Sequence, residues 1–266
     1  MQQAKASDLR PQASGQLLES EARGLKPSVF PNSPILKSSN SPIPRIGIFG
    51  GTFNPIHIGH LRSAEEVCET QGLDRVLFIP SAAPPHKRAD GLVSAAHRLA
   101  MVRLAIAGNP RFRLSAIESE RRGPSFSVDT LQALRARLPR ARFAFILGID
   151  AFREIATWKS YRSLFALCDM VVTSRPPVHA AALRTALPVA ARSEFCYRAA
   201  SRTLEHRTGN KIVFQRLSDL DISASALRGR LQHGLSIRYL VPTAVERYIA
   251  RHGLYAAHRS DRIDSR

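Results

Sequence analysis

The stretch Arg45-Ile-Gly-Ile-Phe-Gly-Gly-Thr-Phe-Asn-Pro-Ile-His-Ile-Gly-His-Leu-Arg62 decides the fold. Its apolar run, 46–49, reads as a buried β-strand. Gly50-Gly51 then predicts a turn, Asn54-Pro55 a second tight turn, and His57 and His60 open a helical segment. A strand, a glycine turn and a helix start together let bare backbone N–H groups approach a phosphate at a helix N-terminus. The stretch is therefore a nucleotide-binding corner in expectation, and the rest of the chain is read against it.

Outward from this corner, apolar runs alternate with helical periodicity. Helices are predicted over 61–71, stopped by Gly72, over 95–107, ended by Gly108-Asn109-Pro110, and over 127–138. Strands are predicted over 75–80, 112–117, 142–147, 170–173 and 211–217. A helix opens at 221–228, and a terminal amphipathic helix spans 242–252 with Pro242 in its first turn. Alternation with crossover-length connections predicts an α/β fold: a doubly wound parallel sheet with a small C-terminal helical part. In such sheets ligands lie beyond the carboxyl ends of the strands. Those ends are followed here by Gly50-Gly51-Thr52, the loop Pro84 to Lys87, Gly148-Ile149-Asp150 and Arg175.

The flanks read differently. Residues 1–44 are rich in Ser, Pro, Gln and Ala and predict a disordered extension. The nucleotide-binding domain is expected over 45–255, with 178–210 as a surface insertion and 256–266 as a frayed tail. Of 39 basic residues 33 are Arg, and the formal charge is +18. No uninterrupted basic run exceeds two residues, and no stripe of basic and aromatic residues is visible. A diffuse field that attracts nucleotides fits better than specific nucleic-acid binding. Three widely separated cysteines predict neither disulfides nor zinc, and hence a reduced, cytoplasmic setting. No apolar run suits a membrane span or a secretory leader. Oligomeric state is written in no motif.

His57 and His60, three apart at a helix start, share one face. Without a third ligand nearby they are not a metal site, so the pair is read as donors to phosphate oxygens. Elsewhere the local sequence is less decisive. Lys87 reads as a solvated loop lysine, Trp158 as core, and Ser223, Ser225 and Arg228 equally as an ordinary N-cap with a surface Arg.

Gly50 to His60 resembles the signature of the nucleotidyltransferase superfamily with the His-x-Gly-His motif. Further segments follow in order: Pro80 to Lys87, Pro124 to Leu131, Gly148 to Asp150 with Trp158, Arg175-Pro176, and Ile222 to Arg228. With these the chain, from about Arg45 to about Ile249, resembles the bacterial nicotinate-nucleotide adenylyltransferases. It departs from their pattern at Asn54 (usually Asp), Phe126 (usually Tyr), Ala224-Ser225 (usually Ser-Thr) and Leu227 (usually Ile).

The resemblance implies a Rossmann-like nucleotidyltransferase fold that joins ATP and nicotinate mononucleotide, with Mg²⁺ accompanying ATP. It implies contacts to ATP from Gly50, Gly51, Thr52, Phe53, His57, His60, Gly148, Asp150, Ile222, Ser223, Ser225 and Arg228. His57, His60, Lys87 and Arg228 would act at the phosphates. Lys87, Ser127, Thr130, Trp158 and Arg175 would hold the nicotinate nucleotide. Phosphopantetheine adenylyltransferase shares the opening motif but not the Asp150/Trp158 segment. The reading of another class is a basic nucleic-acid-binding protein.

Overall fold

Alternate residues of the central strands carry apolar side chains to opposite faces, and this double covering builds the fold. The computed structural model describes residues 43–84, 91–174 and 185–256. Its strands are β1 (Arg45–Gly51), β2 (Arg75–Pro80), β3 (Phe112–Leu114), β4 (Arg142–Gly148) and β5 (Asp169–Ser174), then β6 (Phe195–Arg198), β7 (Thr203–His206) and β8 (Lys211–Arg216). They form one sheet in the order β3-β2-β1-β4-β5-β8-β7-β6. Every pairing from β3 to β8 is parallel, and β7 and β6 add antiparallel to the edge. Strand order reverses between β1 and β4, so the crevice lies there.

The helices are α1 (Ile58–Thr70), α2 (Ala95–Ile106), α3 (Ser127–Arg137), α4 (Ile149–Arg153), α5 (Tyr161–Leu167), α6 (Ala224–Gln232) and α7 (Thr243–Arg251). On one face Ile46 and Ile48 of β1, Leu77 and Ile79 of β2, and Phe143, Phe145 and Leu147 of β4 pack with α3 and α5. On the other, Val76, Phe78, Ala144 and Ile146 pack with α1, α2, α6 and α7. A strand buried on both faces reads as a continuous apolar run, which is how these strands look in the sequence. Each large side chain so buried contributes ~1.5–3 kcal/mol by its removal from water. At Gly47 a Cβ would lie 2.8 Å from Leu73 Cδ1, so the α1–β2 connection packs directly on the backbone of β1.

Four details differ from the sequence reading. β1 runs through Gly50 and Gly51, whose register partners are Ile79 and Pro80, so the chain turns later. It turns at Phe53 (φ 49°) and the cis Asn54-Pro55 bond. The third strand stops at Leu114 rather than 117, because Ser115 onward forms the turns leading to α3. The short helices α4 and α5 have no counterpart in the sequence reading, being too brief for a periodic signal. Finally, the stretch expected as a surface insertion contains β6 and β7, a hairpin that prolongs the sheet. The sequence from 179 to 187 also reads as a short helix, and most of that stretch lies outside the described residues.

Candidate active site

The corner works because β1 delivers its last residues to the N-terminus of α1. His57 is the N-cap, with extended backbone (φ −145°, ψ 171°), and the Ile58 N–H donates to the Leu240 carbonyl at 3.0 Å. The His57 N–H donates to Nδ1 of His60 at 3.3 Å. An Nδ1 that accepts carries no proton, so the neutral His60 ring has its proton on Nε2 and serves as a donor. The two rings stack, with centroids 3.7 Å apart at 28°. The Phe53 ring meets His60 edge-on at 5.1 Å. Gly59 has a specific reason here: a Cβ would sit 3.1 Å from Nδ1 of His57 and press on the buried ring.

A cleft of about 830 Å³ opens above this corner, at the carboxyl ends of β1, β2 and β4. Of the residues expected to bind ATP, Gly50, Gly51, Thr52, Phe53, His60, Gly148 and Arg228 line it. Of those expected to hold the acceptor, Ser127, Thr130 and Trp158 line it as well. His57 lies behind His60 as its support. Ile222 stands against the Gly59 backbone, its Cβ 3.8 Å from where a Gly59 Cβ would be.

Asp150 lies in the first turn of α4, its side chain 91% exposed and paired with Arg153 at 3.2 Å, while its neighbours Gly148 and Ala151 form the lining. Ser223 caps α6 by accepting the Ala226 N–H at 3.2 Å, and its hydroxyl lies 3.2 Å from that of Ser225. On that helix Ala224 and Arg228 face the cleft. Lys87 and Arg175 lie outside the described residues.

Three sets of contacts have no signal in the sequence. Arg98 of α2 is only 1% exposed and directs its guanidinium at four carbonyls: Thr52 (2.9 Å), Ser81 (2.5 Å), Ala82 (3.3 Å) and Val93 (3.1 Å). It ties the residues after β1 to those after β2, and burial lowers its pKa. Asn54 donates to Gly91 O at 2.7 Å and accepts from the Tyr255 hydroxyl (2.7 Å) and the Val93 N–H (3.3 Å). Its own carbonyl receives Arg228 at 2.9 Å. The departure from Asp at this position thus has a use, since a carboxylate could not donate to Gly91. Burial raises the Tyr255 pKa, so the phenol stays a donor. Lys159 also lines the cleft, its ammonium 3.0 Å from Asp129 and 4.9 Å from the centre of the Phe126 ring.

Chemically, one wall offers a helix N-terminus, a tautomer-fixed imidazole and Arg228, all suited to phosphate. The other offers an indole resting edge-on against Phe145, suited to a planar ring. Among the described residues no group of three or more His, Cys, Asp or Glu could hold a metal ion.

Comparison with known proteins agrees with this geometry. A cytidylyltransferase-like family profile matches residues 48–230. A probable nicotinate-nucleotide adenylyltransferase of Geobacter sulfurreducens is 51% identical over 212 residues, covering 80% of this chain and 98% of that protein. One from Citrifermentans bemidjiense is 49% identical over 215 residues, covering 81% and 100%. Among solved structures, the Plasmodium falciparum nicotinic acid mononucleotide adenylyltransferase complexed with NaAD has a TM-score of 0.62 at 19% identity, covering 80% of this chain and 97% of that one. That likeness carries the fold, an α/β nucleotidyltransferase sheet. The chain belongs to the nicotinate-nucleotide adenylyltransferase family, within the cytidylyltransferase-like proteins.

Proposed function

We propose that the protein transfers the adenylyl group of ATP to nicotinate mononucleotide, giving nicotinate adenine dinucleotide and pyrophosphate in NAD biosynthesis. The observation that carries this reading is the pairing of His60 and Arg228 in the cleft that also holds Trp158, in a chain half identical to proteins of that name. Phosphopantetheine adenylyltransferase is not favoured by those relatives. Nothing in the cleft favours a nucleic acid.

The chemistry needs no general base. The acceptor's phosphate monoester has a second pKa near ~6 and is largely dianionic at neutral pH. One of its oxygens attacks the α-phosphorus of ATP. The bond from that phosphorus to the α–β bridging oxygen breaks, and pyrophosphate leaves with the electron pair. Catalysis is therefore the alignment of two polyanions and the neutralisation of charge on the α-phosphoryl and the leaving group. In this reading His60 donates through Nε2–H to the α-phosphoryl, with His57 holding its orientation. Arg228, Ser223 and Ser225 meet the β- and γ-phosphates at the start of α6. Asp150 accepts from the adenosine ribose, which requires its side chain to leave Arg153. Trp158 stacks on the nicotinate ring, Ser127 and Thr130 lie beside it, and Lys87 and Arg175 add positive charge.

Nucleotidyl transfer from ATP generally uses a divalent cation, and we assign Mg²⁺. It would enter with the triphosphate as part of the substrate, because the described residues provide no carboxylate cage. A cytoplasmic location suits these substrates. No helix among the described residues is long and apolar enough to cross a membrane.

The test is pyrophosphate release from ATP and Mg²⁺ with a panel of acceptors: nicotinate mononucleotide, its amide and phosphopantetheine. Release with nicotinate mononucleotide is expected, and silence with it alone would reject the reading. The His60→Ala variant should lose about a hundredfold to a thousandfold in kcat, the usual effect of removing one transition-state donor. Unchanged turnover would remove His60 from the mechanism.

A further inference from the structure

Glu118 follows β3 and lines the cleft, yet it is only 7% exposed. One carboxylate oxygen, Oε1, accepts the Thr130 hydroxyl at 2.8 Å. Thr130 in turn receives Arg121 at 2.8 Å, so an N–H···O–H···O chain holds that oxygen in place. The other oxygen, Oε2, is buried and has no hydrogen-bond partner. A buried acceptor left unmade is costly, by about 1–3 kcal/mol. Glu118 lines the cleft beside Ser127 and Thr130, so a ligand donor that reached this oxygen would relieve that cost.

The identity of the donor follows from the chemistry of the acceptor nucleotide, and to that extent the inference rests on the function proposed above. Its phosphate and ring carboxylate are acceptors and anions, which a carboxylate repels. Its pyridinium nitrogen carries no hydrogen. Only the ribose hydroxyls can donate. We infer that Glu118 is a binding residue that accepts a hydrogen bond from a ribose hydroxyl of the acceptor nucleotide through Oε2. The same carboxylate keeps the ring carboxylate turned away from this wall, and so orients the nucleotide between the ribose and the indole of Trp158.

Glu118→Ala is tolerable for the fold, because the Thr130 hydroxyl retains the Phe126 carbonyl at 3.2 Å as an alternative acceptor. Glu118→Gln keeps the shape and provides a second variant. Steady-state kinetics on the full chain would use ATP with nicotinate mononucleotide and with its 2′-deoxy and 3′-deoxy ribose forms. A hydrogen bond to a charged group predicts that Glu118→Ala raises KM for the acceptor about tenfold to a hundredfold, with Glu118→Gln in between and KM for ATP within about twofold. One deoxy form should be poorer than the parent by a similar factor with the wild type and equal to it with Glu118→Ala.

Two results would overturn the assignment. One is a deoxy discrimination that is the same in wild type and variant. The other is a change confined to KM for ATP. A wild-type protein that neither binds nor adenylylates nicotinate mononucleotide would overturn the proposed function and this inference with it, and is read in the wild-type arm alone.

Discussion

At the scale of single residues, the corner is held by groups that do no chemistry. Arg98 is the clearest case. In the sequence it is one of 33 arginines, on a helix whose other face is exposed, and nothing in its neighbours marks it as buried. Its burial follows from the convergence of two strand ends with the approach to α2, which brings four carbonyls within reach of one guanidinium. Arg98→Met should cost on the order of 3 kcal/mol by stranding those carbonyls, and Arg98→Lys a large part of it, because an ammonium cannot reach all four. Thermal unfolding checks this, with a fall of several degrees expected for both variants. By contrast the three-residue spacing of His57 and His60 is enough to place both at the start of α1. Their division of labour, one ring supporting and one lining the cleft, is not set by that spacing, because it depends on which nitrogen accepts the His57 N–H.

At the scale of elements, the N-terminus of α6 separates a structural from a binding role. Ser223 caps the helix, and Asp is an equally good cap that also suits the helix dipole. Ser223→Asp should therefore leave the melting temperature unchanged or slightly raised. The added negative charge would meet the triphosphate, raising KM for ATP by about tenfold, a change of about 1.4 kcal/mol. A raised KM with a lowered melting temperature would instead point to loss of the cap.

The hairpin of β6 and β7 offers a test of another kind. Glu194, buried before β6, accepts from His206 Nε2 (3.1 Å) and from Arg162 Nε (2.7 Å). The hydrogen bond from His206, then Arg162, holds its carboxyl below the ordinary range. A depressed carboxyl stabilises the fold fully above its unfolded pKa, near ~4.3, and loses that contribution as pH falls through the folded value. Stability should thus decline on the acid side of that point, and Glu194→Gln should flatten the decline in a series of melting curves. The hairpin itself was hard to read because its strands have four residues each and carry Arg, Glu and Thr, a composition shared with loops.

At the scale of the whole molecule, the formal charge of +18 acts as a field rather than as a binding stripe. Two polyanionic substrates are drawn to it, and salt screens it, with a Debye length of about 10 Å at 0.1 M and 3 Å at 1 M. The value of kcat/KM for both substrates should fall several-fold between low and high salt, and kcat much less. A salt-independent kcat/KM would assign the charge to some other purpose.

The order of the central strands and the longer helices was legible because those strands are buried on both faces. Their apolar runs have no other reading, and the glycine corner between them admits few alternatives. Family membership was legible for the same reason, since phosphate recognition by backbone and short polar side chains is a local, contiguous pattern. The other features depend on residues far apart in the chain. Arg98 gathers carbonyls from the ends of two strands, and Tyr255 reaches Asn54 across 201 positions. Glu118 has one oxygen held by Thr130 and the other buried without a partner. Such contacts are set by packing in three dimensions, where burial and partner geometry decide what a charged or polar side chain does. No window of sequence carries that information.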